Sequence, residues 1–203
     1  MLFSEPSAMC GSARNTTITT RLFSTGANAA IATDAQEDLR TLGTDAVLSL
    51  LAGGTITITG GTTSASAGVV ATGSIYLGTT GATSDLLLQA GVSSTGGDIG
   101  ILSSATLTQT ALGDITTSGS GKTVDVRATG DITMLDGALT STANGHVRYA
   151  SQTGSLTVGE ITAGTGNVAL IAAGALIDGD SSTDVTAAGL YLQAGQGIGS
   201  ETD

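Results

Sequence analysis

The chain has 203 residues, including 31 Gly, one Pro, one Cys, no Trp, three Tyr and two Phe, and aromatic residues make up only 2% of it. So few aromatics exclude a conventional globular core, which draws much of its buried area from Phe, Tyr and Trp. A net charge of −11 excludes nucleic acid as a partner, because phosphates would be repelled by nearly the whole surface.

Gly follows no three-residue period, Pro is almost absent, and Val, Ile and Leu recur regularly, which argues against collagen and against a disordered linker. Cys10 is the single cysteine, so no intrachain disulfide exists, and no long apolar run offers a membrane span. Met1-Leu2-Phe3-Ser4-Glu5 lacks the basic start and apolar stretch of a signal peptide. If the chain is exported, its signal is expected upstream.

Residues 1–46 differ from the rest and are expected to be an atypical N-terminal region or irregular first coils. Thr16 to Phe23 alternates like a strand, and Asp34 to Leu42 carries the one local hint of a helix. From Leu48 onward a different grammar takes over. In Leu48 to Ile56, Leu107 to Ile115, Val124 to Ile132 and Val168 to Leu176, apolar residues, an Ala, a Gly and a closing Ile or Leu share one parity. That is strand periodicity, with Gln109 as its polar exception.

Windows of this kind start near residues 48, 67, 86, 107, 124, 147, 168 and 190, spaced by 19, 19, 21, 17, 23, 21 and 22 residues. A repeat of about 20 residues is too short for a domain and fits one coil of a solenoid. Ala128 and Gly130 mark a bend between two strands, and Leu139-Thr140-Ser141 and Ile161-Thr162-Ala163 read as a third, shorter strand. The pairs Ile56/Ile58, Ile75/Leu77, Ile99/Ile101, Ile132/Met134 and Leu156/Val158 read as one inward column. The expected fold is all-β, a parallel β-helix of roughly eight coils over residues 47–203. Ile198 is followed by Gly199 to Asp203 with no cap signature, which reads as a segment of a longer rod.

Chemistry is sparse. His146 is the only histidine, in a turn, and no Gly-x-Ser-x-Gly, His-Glu-x-x-His, Cys pair or P-loop accompanies it. Catalytic and cofactor-binding residues are therefore not assigned. Asp98, Asp114 and Asp131 each follow a corner Gly in what reads as three successive coils. Stacked, they would form a row of carboxylates about 5 Å apart that could bind calcium, whereas as turn residues they would hydrogen-bond backbone and face water. Thr55-Ile56-Thr57 resembles the outward Thr pairs of ice-binding solenoids, but the corresponding pairs elsewhere are too mixed for a flat lattice. Parity also turns Leu51, Tyr76, Ile171, Ile177 and Tyr191 outward. Ile171 and Ile177 make an apolar outer face that could contact another part of the protein.

Gly130-Asp131-Ile132-Thr133, Gly154-Ser155-Leu156-Thr157-Val158 and Gly166 to Ile177 resemble the repeats of filamentous-haemagglutinin-type bacterial surface adhesins, over roughly residues 45 to 199. The resemblance implies a right-handed β-helix in a large secreted filament, exported by a partner transporter, whose shaft holds binding regions away from the cell. The Asn-Pro-x-Gly type motif of the family's secretion domain does not occur, the only proline being Pro6, so a shaft fragment is implied. The expected role is non-catalytic and adhesive, secreted or at the cell surface, with neighbouring coils and a host glycan or protein as partners. A carbohydrate-binding or polysaccharide-degrading β-helix protein and a calcium-stabilised solenoid are the alternatives.

Overall fold

The computed structural model describes residues 46–59 and 67–199, together with the backbone of three earlier strands, Thr19–Ser24, Ile31–Ala32 and Leu39–Arg40. Leu39–Arg40 is a strand, against the hint of a helix from Asp34 to Leu42; the other residues of that stretch, and residues 200–203, lie outside the described residues.

The chain is a right-handed parallel β-solenoid with three sheets. The first sheet has eight strands, Thr19–Ser24, Val47–Ala52, Ile75–Thr79, Ile99–Ser103, Val124–Ala128, Val147–Ser151, Asn167–Ala172 and Gly189–Ala194. The second also has eight, Ile31–Ala32, Ile56–Ile58, Leu86–Leu88, Leu107–Gln109, Ile132–Met134, Leu156–Val158, Ala175–Asp178 and Gly197–Ile198. The third has seven, Leu39–Arg40, Ala67–Ala71, Gly91–Ser94, Ile115–Thr117, Leu139–Thr142, Glu160–Thr162 and Val185–Thr186. The chain visits the three in turn, so every strand pairs with the equivalent strand one coil away.

Register corrects the expected spacing. In the first sheet Leu48 pairs with Ile75, then follow Ile99, Val124, Val147, Val168 and Leu190, in steps of 27, 24, 25, 23, 21 and 22 residues. The windows expected at 67, 86 and 107 belong to the third, second and second sheets, so three coils, not four, separate Leu48 from Val124. The supposed single column of closing pairs also divides. Ile75/Leu77 and Ile99/Ile101 lie in the first sheet, and Ile56/Ile58, Ile132/Met134 and Leu156/Val158 in the second. Strands of all three sheets obey one parity rule and leave one kind of corner, so alternation identifies a strand without identifying its sheet.

The interior is a column of aliphatic side chains, with Val126 and Ile132 fully buried and Leu170 nearly so. In six of the first-sheet strands the last inward position is small, occupied by Ala52, Thr79, Ser103, Ala128, Ser151 and Ala172. Its buried hydroxyls are satisfied by corner carbonyls. Thr79 Oγ1 donates to the Ser84 carbonyl at 2.8 Å, Ser103 Oγ to Thr106 at 2.6 Å, and Ser151 Oγ to Gly130 at 2.7 Å. At the end of the third sheet Ser94, Thr117 and Thr142 do the same toward Gly73, Gly97 and Gly145. Corner glycines allow this approach, and a Cβ on Gly145 would collide with the Lys122 carbonyl of the coil below.

Gln109, the polar exception in the pattern, has a structural account. It projects from the second sheet, Thr140 from the third and Tyr149 from the first, and all three are fully buried. Tyr149 Oη donates to Gln109 Oε1 at 2.8 Å and lies 2.6 Å from Thr140 Oγ1, while Gln109 Nε2 donates to the Leu139 carbonyl at 2.9 Å. Burial raises the Tyr149 hydroxyl far above its ordinary pKa. The group stays neutral and bonds all three sheets together across the axis.

Candidate functional site

Corners are where the ladder of backbone bonds lapses, and an amide left there needs another acceptor. Side chains on the preceding coil supply it. At the corner entering the first sheet, Ser74 Oγ accepts the Asp98 N–H at 3.2 Å, Asp98 Oδ1 accepts that of Thr123 at 2.8 Å, and His146 Nδ1 accepts that of Asn167 at 2.9 Å. At the corner entering the second sheet, Asp85, Asp131 and Ser155 accept from Thr106, Ser155 and Ala175 at 3.0, 2.8 and 3.1 Å. Asp114 does so for Leu139 at 3.1 Å at the third corner.

Asp98, Asp114 and Asp131 are therefore not a row. Asp98 precedes a first-sheet strand, Asp114 a third-sheet strand and Asp131 a second-sheet strand, which puts them on three different corners of the rod. The stacked geometry on which they were read as calcium candidates is not formed. Each tethers the next coil by its backbone amide, a bond between coils and not within one turn. His146, read as a turn residue, is one of these tethers.

The Asp114 carboxyl is raised above the ordinary range mainly by burial, partly offset by the Leu139 N–H, with the Glu160 charge adding to the rise.

A different acidic group does converge. Asp178, Asp180 and Asp184 occupy the corner between the second and third sheets, with one carboxylate oxygen of each within 4.8 Å of the others. This cluster could in principle coordinate a metal ion. Ser182 donates to Asp180 Oδ1 through both hydroxyl and amide, at 2.6 Å each, and these bonds hold that carboxyl below its ordinary value. The spacing Asp178-Gly179-Asp180 followed by Asp184 is visible in the sequence. Its Gly179-Asp180 step resembles the other corners, but Ser181 follows where they have Ile99, Ile115 and Ile132, so the step falls outside the apolar repeat.

The outer surface of the first sheet carries the remaining charge chemistry. Register sets Asp125 beside Arg148 on the next coil. Arg148 Nε and Nη2 donate to Asp125 at 2.8 and 2.9 Å, and Arg127 Nε donates to the same carboxylate at 3.0 Å. Burial raises the Asp125 carboxyl, but the bonds and charges of Arg127 and Arg148 overcome this and hold it below the ordinary range. Lys122 Nζ lies 3.9 Å from Asp98. Tyr76 and Tyr191 are exposed on this sheet as parity requires, while Leu51, Ile171 and Ile177 are half-buried.

No family model, curated protein or solved structure matches this chain. Among the described residues no helix is long and apolar enough to cross a membrane.

Proposed function

We propose that the chain is a non-catalytic shaft segment of a large secreted bacterial surface protein of the filamentous haemagglutinin type, contributing to attachment at the cell surface. One observation carries the reading: the corner side chains of Asp98, Asp114, Asp131 and His146 each accept a backbone amide from the next coil, so they serve to tether one coil to another. A rod built this way is a spacer, and its outer faces are free for contacts.

Antibody labelling of intact source cells, before and after external protease, tests this role. Surface labelling that protease removes is expected. Labelling only after lysis would refute it, and new reducing ends on incubating the purified chain with polysaccharides would replace it by an enzymatic reading.

The Asp178, Asp180 and Asp184 cluster favours a second reading, a calcium-stabilised solenoid. Calcium bound by the folded chain alone would raise the thermal midpoint, the stabilisation growing as the logarithm of one plus the calcium concentration over Kd. A midpoint unchanged between chelator and millimolar calcium would remove that reading.

A further inference from the structure

Among the residues whose side chains are described, the cations Lys122, Arg127 and Arg148 gather on one side of a chain whose net charge is −11. Lys122 and His146 lie at the corner entering the first sheet, and Arg127 and Arg148 on its outer surface. Asp125 neutralises only one of the two guanidinium groups, so the trio keeps a net positive charge. Beside it runs a shallow groove of about 470 Å³ lined by His146, Arg148, Asn167, Ala169, Gly189 and Tyr191.

Register explains the groove. Arg148, Ala169 and Tyr191 are outward neighbours on three successive coils, and Asn167 pairs with Gly189 alongside. Ala169 and Gly189 leave the floor low, while Arg148 and Tyr191 rise on either side, about 10 Å apart at two coil spacings. The Arg148 side chain is 41% exposed and Tyr191 56%. Arg148 has donors beyond those given to Asp125. His146 uses Nδ1 as an acceptor, which in the neutral ring leaves Nε2 as a donor. The Tyr191 hydroxyl donates to Gln193 Oε1 at 2.9 Å, which tethers a side chain that offers an apolar ring face.

We propose that this groove binds the carboxylate-bearing ring of an acidic saccharide. Arg148 holds the carboxylate, His146 donates beside it, and Tyr191 takes the apolar face of the pyranose over Ala169. One net positive charge matches one carboxylate, and the acidic remainder of the rod discourages long polyanions. The inference rests on the adhesive reading of the shaft and names its ligand class.

Calorimetric titration of the intact chain with sialyllactose and with a galacturonate trisaccharide tests it, with lactose and the methyl-esterified trisaccharide as their neutral counterparts. At least one acidic sugar is expected to bind roughly tenfold or more tightly than its neutral counterpart, as a charge-assisted contact requires. The two pairs separate a sialate from a uronate source. Arg148→Gln and Tyr191→Ala should each abolish binding with the circular dichroism unchanged, and Tyr76→Ala, on the same sheet outside the groove, should leave it intact. Equal binding of acidic and neutral sugars, binding that survives Arg148→Gln, or no binding by either pair overturns the proposal. None of these results touches the shaft reading, which cell-surface labelling decides separately.

Discussion

Asp131 and Ile132 are adjacent in the chain, yet they belong to regions governed by opposite rules. Ile132 is fully buried in a column where every neighbour is apolar or hydrogen-bonded, so shape and polarity are both constrained. Asp131 is exposed, and its position on the same corner is held in other coils by Thr55, Asp85, Thr106 and Ser155. What Asp85, Asp131 and Ser155 share there is an oxygen that accepts an amide from the next coil, not a charge. At this corner a conspicuous acidic residue fills a place that other oxygen-bearing side chains also fill, while the isoleucine beside it answers to the shape of the core.

The largest expected effect comes from forcing the interior to follow corner chemistry. Ile132→Asp puts a carboxyl into the apolar column and should cost at least about 4 kcal/mol, read as a collapse of the urea midpoint. If it cost no more than Asp131→Ala, the division between inside and outside would be wrong.

The buried polar group probes the same boundary from within. Tyr149→Phe takes a partner from Gln109 Oε1 and Thr140 Oγ1 and should cost about 1–3 kcal/mol by chemical denaturation. Adding Gln109→Leu should recover part of that loss, because it removes one of the polar groups left short of a partner. A double variant as unstable as the sum of the two single changes would show that the group acts as separate contacts.

At the corner, Asp131→Ala should cost about 1 kcal/mol, the worth of one hydrogen bond. Asp131→Ser should cost less, since Ser155 performs the same task one coil on. Equal losses from Ala and Ser would mean that charge, and not an acceptor, is what the position supplies.

The smallest effects separate two carboxylates by pH. Asp125 has a depressed folded pKa, so its contribution is present above the unfolded value of about 3.9 and is lost as pH falls through the folded one. Asp125→Asn should therefore lower the thermal midpoint at neutral pH, with the difference closing in acid. Asp114 is raised by burial, so the wild type gains relative stability below the unfolded value and loses it as pH rises through the folded one. Asp114→Asn keeps an acceptor for Leu139 and should raise the midpoint slightly at neutral pH. Parallel pH profiles for the two variants would contradict these opposite environments.

Much of the architecture was legible in the chain. Alternation gave two strands with a bend between them, seen as Val124–Ala128 and Ile132–Met134, and a third strand at Leu139 to Ser141 and Ile161 to Ala163, where the structure has Leu139–Thr142 and Glu160–Thr162. The candidate site was legible only as residue types. Gly130-Asp131-Ile132 and Gly97-Asp98-Ile99 look alike in sequence because every corner calls for a residue that fits the bend and an acceptor for a stray amide. Nothing local says which corner is which, so three carboxylates were read into one row.

The sequence by itself determined that the chain stacks strands around a thin aliphatic column, because period-two alternation with few aromatics leaves little else to build. Only the tertiary structure decided which strand pairs with which. Register is a relation between residues 20 to 30 positions apart, set by corner lengths that vary from coil to coil. That same register joins Gln109, Thr140 and Tyr149 across the axis and sets Arg148 beside Asp125. Parity says whether a side chain faces in or out, and pairing alone says what it meets there.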